Sequence, residues 1–373
     1  MAAPVALNPF EERLIAALPD SGTDWRARLG RQIGTHGLPH RRVEEWKWTD
    51  LRAALAKSEA GAGELIVKGS REPDETAPVS SAPFLLMPRL AAALGGDARV
   101  FRIGKKQDGP LELDLTVEAG MGHGVVVVNV ARGVKAELRE RYHVAPGAFA
   151  NIAVIINLGE DTELVRLVEQ ADSAEGVLVV TTGAELGEGA RFDQTTLGFG
   201  GRLARLETHV GHPGEGAEVI LNGAYVLGQG RHLDQTTYVT HNGPNGVTRE
   251  LFKGAALAGG KGVFQGKIHV EREAQKTDAQ MNHRGMLLDE RAEIDTKPEL
   301  EIYADDVVCA HGAALGAVDA EALFYMRQRG MTETQARAVL TESFLAEPLD
   351  RLADEDLKTR WMDMVRGALR PDG

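Results

Sequence analysis

Among 373 residues there is one cysteine, Cys309, and two positions further on stands His311. Both belong to the run Asp305-Asp306-Val307-Val308-Cys309-Ala310-His311-Gly312. Just upstream, Glu299, Glu301 and Tyr303 alternate with Leu300 and Ile302, the rhythm of a half-buried strand. If that rhythm runs on through Cys309, the thiol and the imidazole point from one face. A soft thiolate beside an imidazole can take a metal ion or share an iron–sulfur cluster. Two ligands do not complete a cluster that takes four, so a cluster held here is shared with another chain or handed on. The same two residues also fit a small buried apolar cysteine next to a hydrogen-bonded histidine.

Other chemistry is sparse. No Gly-x-x-x-x-Gly-Lys-[Ser/Thr] loop occurs, and Gly266-Lys267 is followed by Ile268, which argues against nucleotide hydrolysis by this chain. The pairs Gly187/Gly189 and Gly228/Gly230 lack the third glycine of a dinucleotide loop and lie between strands, as turns do. Neither a Gly-x-Ser-x-Gly elbow nor a His-Glu-x-x-His helix is present. His209 with His212, and His232 with His241, have no diagnostic metal spacing and read as surface or hydrogen-bonded histidines. With 55 acidic residues, neighbouring carboxylates are expected by accident.

The elements that must carry Cys309 and His311 follow from periodicity. Residues from about Glu11 to Leu55 read as helical, with Trp48, Leu51 and Leu55 on one face. A polar, proline-bearing loop spans Ser70 to Ser81, and a short helix is expected from Met87 to Leu94. From about Arg99 to Val318 nearly everything reads as strand, for example Val125–Val128, Ile152–Ile156, Val177–Val180 and Leu206–Val210. Gly189-Ala190-Arg191-Phe192-Asp193-Gln194-Thr195-Thr196 is echoed by Gly230-Arg231-His232-Leu233-Asp234-Gln235-Thr236-Thr237, and more loosely by Lys276-Thr277-Asp278-Ala279-Gln280. The 41-residue spacing of Asp193 and Asp234 suits two coils of a β-solenoid at about 20 residues each. A sandwich with irregular hairpins would share many of these strands.

After Asp319 the chain turns helical again. Ala320, Leu323 and Phe324 form a stripe, Gly330 a stop, and Thr332 with Gln335 a capping box. Ala336, Val339, Leu340 and Phe344 extend the face, Pro348 opens another helix, and Leu357, Trp361, Met364 and Val365 align on the last. The expected organisation is therefore residues 1–98 helical with a loop, 99–318 a solenoid core, and 319–373 a helical C-terminal domain.

Composition narrows the class. Hydrophobic residues make up 43%, and no stretch is long enough for a membrane span. The net charge of −13 argues against nucleic-acid binding. One cysteine and an N-terminus without signal-peptide character lead to the expectation of a cytoplasmic protein without disulfides.

The run from Glu293 to Gly312, continuing through Gly316-Ala317-Val318-Asp319 and Phe324-Tyr325-Met326-Arg327-Gln328-Arg329-Gly330, strongly resembles the SufB/SufD family of iron–sulfur cluster assembly scaffolds. Lys276-Thr277-Asp278-Ala279-Gln280-Met281 extends the match, and Arg42-Val43-Glu44-Glu45-Trp46-Lys47-Trp48-Thr49-Asp50-Leu51 is similar to the SufD-type signature. The resemblance implies a right-handed parallel β-helix flanked by N-terminal and C-terminal α-helical regions. It implies a non-catalytic subunit that pairs with a SufB-type paralogue and binds a SufC-type ABC ATPase. A transient iron–sulfur cluster then forms at the inter-subunit interface, with His311 matching a family interface histidine and Cys309 the cysteine near it. Phe324, Tyr325 and Arg329 match the ATPase-docking region. The chain departs from the family in a shorter N-terminal region and lacks the cysteines of SufB-type scaffolds, which speaks against a primary sulfur acceptor. Family assemblies can bind reduced flavin, but no flavin motif is present here. Two other readings compete: a β-helix carbohydrate-active enzyme, disfavoured by 5% aromatics, and a metal-free structural solenoid that pairs with itself as a homodimer.

Overall fold

A computed structural model describes residues 6–19, 25–58, 61–79, 85–105, 109–171, 173–212 and 214–370. Met1–Val5 and the end of the expected polar loop, Ser80 and Ser81, lie outside them. Strands alternate between two facing nine-stranded sheets, so that each coil contributes one strand to each sheet. The first sheet runs from Ile66–Gly69 through Leu111–Val117, Lys135–Val144, Glu163–Gln170, Arg191–Gly198, Glu218–Leu227, Val247–Ala256 and Asp278–Leu287 to Val308–Gly316. The second runs from Glu75–Ala77 through Ala98–Ile103, Met121–Val130, Phe149–Leu158, Ser173–Leu186, Gly201–His212, His232–His241 and Lys261–Val270 to Glu293–Ile302. Pairing is parallel throughout, except that Ile66–Gly69 and Glu75–Ala77 close the N-terminal end antiparallel. The protein is a parallel β-solenoid.

The coil is longer than the sequence echo suggests. Arg191 pairs with Glu218, 27 residues on, and Val247 with Asp278, 31 residues on. Asp193 lies in the first sheet and Asp234 in the second, so their 41-residue spacing is one and a half coils, not two. What repeats is the half-coil: a turn glycine with positive φ, one residue, then a strand. Gly189 has φ 62° and Gly230 φ 72°. One corner of the solenoid stacks such residues coil upon coil as Gly133, Asp161, Gly189, Gly216, Asn245 and Lys276. Each donates its N–H to a carbonyl of the next coil, for instance Gly189 to Glu215 at 2.9 Å. Left-handed backbone suits glycine and, less well, Asn or Asp, which explains most of that column.

Inward-facing side chains fill one continuous core along the axis, including Leu113, Leu138, Leu164, Phe192, Val219, Phe252 and Met281. Helices cover the outer faces. On the second sheet, α1 (Pro9–Ala17), α2 (Trp25–His36), α3 (Leu51–Leu55) and α4 (Leu86–Leu94) bury Phe10, Leu14, Leu29, Ile33, Leu51 and Leu90 beside Phe149, Val177, Val179 and Leu203. The expected helix to Leu55 is thus broken into pieces; Trp48 precedes α3 and does not share its face. After the solenoid come α5 (Ala320–Gln328), α6 (Glu333–Ala346) and α7 (Glu355–Ala368). The last two, with the short 3-10 turn Glu347–Leu349 where a helix was expected from Pro348, pack Leu345, Leu349, Trp361 and Val365 on Leu167, Leu197, Phe199 and Val226 of the first sheet. The Thr332–Gln335 capping box forms as expected, but the buried face of α6 is Ala336, Thr341 and Leu345, with Val339 exposed.

Candidate functional site: the open end of the solenoid

Regular strand does not run unbroken from Glu299 to Cys309. The strand Glu293–Ile302 closes the second sheet, a turn follows, and Cys309 and His311 lie on Val308–Gly316, the last strand of the first sheet. Their shared face survives this break. Cys309 pairs with Ala279 and His311 with Met281, and both partners are fully buried in the core. Paired residues of parallel strands point the same way, so Cys309 and His311 both face the solenoid interior. No further coil covers them. Cys309 is half-buried against the core, and His311 is exposed at the mouth.

Burial pushes the Cys309 thiol above its ordinary pKa; a hydrogen bond with the Ala279 backbone opposes this and the Asp278 charge adds to it. The free subunit therefore holds a protonated, weakly nucleophilic thiol, and a ligand metal would have to displace the proton. Beneath the mouth lies His283, fully buried, its Nε2 3.0 Å from Tyr225 Oη and its Nδ1 3.1 Å from Thr296 Oγ1. Its ring stacks on Phe264 with centroids 4.8 Å apart. Desolvation lowers its pKa to about 3, so it is neutral. His283 was not singled out from sequence, because nothing in its local spacing marks it.

Both end strands have one free edge. Val308 N–H donates to Thr277 O at 2.9 Å, so alternation turns the N–H groups of Cys309 and His311 outward from that edge. On the other sheet Glu293 and Tyr303 donate to Gly260 and Val270, which leaves Pro298, without an N–H, on the free side. Ile302, Tyr303, Val308 and Leu315 are exposed around the mouth, Val308 to 67%. Unpaired edges rimmed by apolar side chains favour pairing with another chain. Among the described residues no three His, Cys, Asp or Glu side chains are grouped as a metal site.

Of the four histidines read as surface or hydrogen-bonded, His209, His232 and His241 have hydrogen-bond partners in Glu207, Thr49 and Thr248, and His212 departs from the expectation. His212 and His241 are fully buried, with ring centroids 4.3 Å apart, and neither His212 nitrogen has a hydrogen-bond partner. On α5 no residue is buried. Phe324 and Tyr325 are 64% and 58% exposed, and Arg329 lies 4.9 Å from the Tyr325 ring and donates to its hydroxyl at 2.6 Å. The stripe Ala320, Leu323 and Phe324 is thus an outward feature and not a core face. Asp319 caps this helix through the Glu321 and Ala322 amides.

Residues 115–344, more than half of the chain, match the family described as SUF system FeS cluster assembly, SufBD core domain. The chain belongs to the SufBD family. It is 37% identical over 175 residues to the iron-sulfur cluster assembly protein SufD of Escherichia coli, covering 47% of this chain and 41% of that one. A SufBD family protein of Synechocystis, slr0076, is 32% identical over 217 residues, 58% of this chain and 48% of the relative. The chain thus matches under half of the length of these two proteins. A Mycobacterium tuberculosis SufBD family protein, Rv1462, is 26% identical over 349 residues, 87% of each chain. No helix among the described residues is long and apolar enough to cross a membrane.

Proposed function

We propose that this chain is a non-catalytic, SufD-type scaffold subunit of a cytoplasmic iron–sulfur cluster assembly complex. The open end receives a SufB-type paralogue, and α5 and α6 dock a SufC-type ABC ATPase. The cluster is cargo: His311 supplies one donor, Cys309 a second, and the paralogue the rest. One observation carries this reading, namely two uncapped sheet edges around an interior-facing His311 with too few donors for a complete site. The exposed aromatic face of α5 supports the ATPase assignment, and the family match supports the chemistry. We take residues 99–318 as the scaffold core and 319–373 as the ATPase-binding part. ATP hydrolysis in the partner would act on the helices and reach the mouth through Val308–Gly316, the strand that leads into α5.

Anaerobic co-expression with SufB-type and SufC-type proteins, followed by cluster quantification, tests this. Variant H311A is expected to leave the complex assembled and lower its cluster yield at least fivefold. Unchanged yield would remove His311 as a ligand. A homodimer that takes up neither partner would overturn the reading.

A further inference from the structure

The signature segment around Trp46 packs where the mouth would not lead one to look. From Glu44 to Thr49 it lies across the outer face of the second sheet, over the four strands nearest the open end. Its anchor is Trp46, 6% exposed, with the Arg205 guanidinium 4.2 Å above its ring. Arg205 on the strand Gly201–His212 is fully buried and donates to Asp234 Oδ2 at 2.5 Å on the next strand; Thr49 Oγ1 donates to the same oxygen. One strand further, Gln265 Nε2 donates to the Glu45 carbonyl at 3.2 Å. On the end strand itself, Lys297 Nζ meets Glu44 Oε1 at 2.7 Å. Glu207, Thr236, Gln265 and Lys297 form one cross-strand row, so the segment follows the hydrogen-bonding direction of the sheet and not the strands.

The end strand needs such support. Glu293–Ile302 has a hydrogen-bonded neighbour on one side only. Edge strands with one neighbour open more readily than central ones. Every earlier coil is held between two others, while this one must stay flat and in register to accept a partner strand.

We propose that Glu44–Thr49 is a strap that positions the end strand Glu293–Ile302 for partner pairing. Trp46 and Glu44 are its positioning residues, which meet Arg205 and Lys297, and Gln265 holds the Glu45 carbonyl between them. The inference deepens the scaffold reading and rests on it for the identity of the partner. It joins the N-terminal region to the assembly interface: whatever displaces the strap also loosens the edge that the partner must recognise.

Hydrogen exchange of the isolated full-length chain, read by mass spectrometry, tests the strap without any partner. In E44A/W46L, which changes no residue of the sheet, amides of 293–302 are expected to exchange at least tenfold faster, with 149–158 unchanged. Should that variant fail to fold, Q265L breaks the same path from the sheet side and is expected to give at least threefold. Exchange within twofold of the parent chain in the folded variant overturns the strap. Capture by the SufB-type paralogue is then measured separately, and at least fivefold weaker binding is expected at an unchanged thermal midpoint of the variant. Faster exchange with unchanged capture also overturns the positioning role. Faster exchange in the variant, with a parent chain that captures no partner, leaves the strap as a brace of the end strand and sinks the scaffold reading instead.

Discussion

His311 and Cys309 occupy rows in which every earlier coil buries its side chain, and they differ only in being last. The row of His311 is mixed, with Glu250, Gln194 and Arg166 in earlier coils behind Met281, so a histidine is in keeping with it, and being last leaves its ring exposed to meet a second chain. Cys309 is the more sheltered of the two. Its raised pKa predicts slow alkylation by iodoacetamide at pH 7.5 in the folded subunit, at least tenfold below an unfolded control. Fast modification would place the thiol in solvent and contradict the packing. The pair was legible in sequence because a lone cysteine and a nearby histidine share strand parity. The buried histidines were not legible, since burial of His123, His212, His241 and His283 depends on which way each strand turns its side chains within the solenoid.

Those four imidazoles make stability acid-sensitive. Desolvation lowers His123 and His283 to about 3, His241 to about 4, and His212 well below the ordinary value near 6.5. The folded state holds them neutral while the unfolded chain protonates them. Their contribution is therefore complete above pH 6.5 and is lost as pH falls toward 4. Each costs about 1.4 kcal/mol per pH unit across that window. His232, lowered to about 4 by burial, adds to them, while Glu250, raised to about 8 by burial, runs the other way, losing stability as pH rises from 4.5 to 8. Chemical denaturation at pH 7 and pH 5 is expected to show a clear loss at pH 5. Equal midpoints would mean the imidazoles are hydrated.

At the scale of elements, the solenoid stores charge inside as well as outside. Arg166 and Glu140, both fully buried on adjacent strands, pair at 2.5 Å, and Gln194 accepts a second Arg166 bond at 2.6 Å. Arg166→Met strands the Glu140 carboxylate and is expected to cost about 3–5 kcal/mol, read as a lowered denaturant midpoint. A neutral result would show that water reaches the pair. On α5 the reverse holds. F324A/Y325A removes rings that are 64% and 58% exposed, so the thermal midpoint is expected to stay within about 1 °C while ATPase capture falls at least tenfold. A large stability loss would make α5 a core helix. Strand content and the helices around Met87–Leu94 and after Asp319 were readable from sequence because glycine turns and apolar alternation are local, whereas the breaks between Glu11 and Leu55 were not. The coil length was not, because the echo of Asp193 and Asp234 reports half-coils on opposite sheets, and only the pairing of Arg191 with Glu218 reveals the period. Nor was the strap, since nothing near Trp46 announces contacts with Arg205 and Gln265.

For the whole molecule, asymmetry of the two ends is the main feature. The N-terminal end is closed by antiparallel strands, and the C-terminal end is left open with its apolar rim and its two donors. Pro298 on the free side of one sheet limits runaway pairing along that edge, the usual place for an edge proline. Helices on both outer faces leave the mouth as the route by which a second solenoid can add strands. The measurement that bears most directly on this account is anaerobic capture of the full chain co-expressed with SufB-type and SufC-type proteins, with mass and iron determined together. The account predicts stoichiometric recovery of both partners, iron in the complex, and at least a fivefold drop in iron with H311A at unchanged subunit ratio. Recovery of this chain alone, or iron unaffected by H311A, would contradict it.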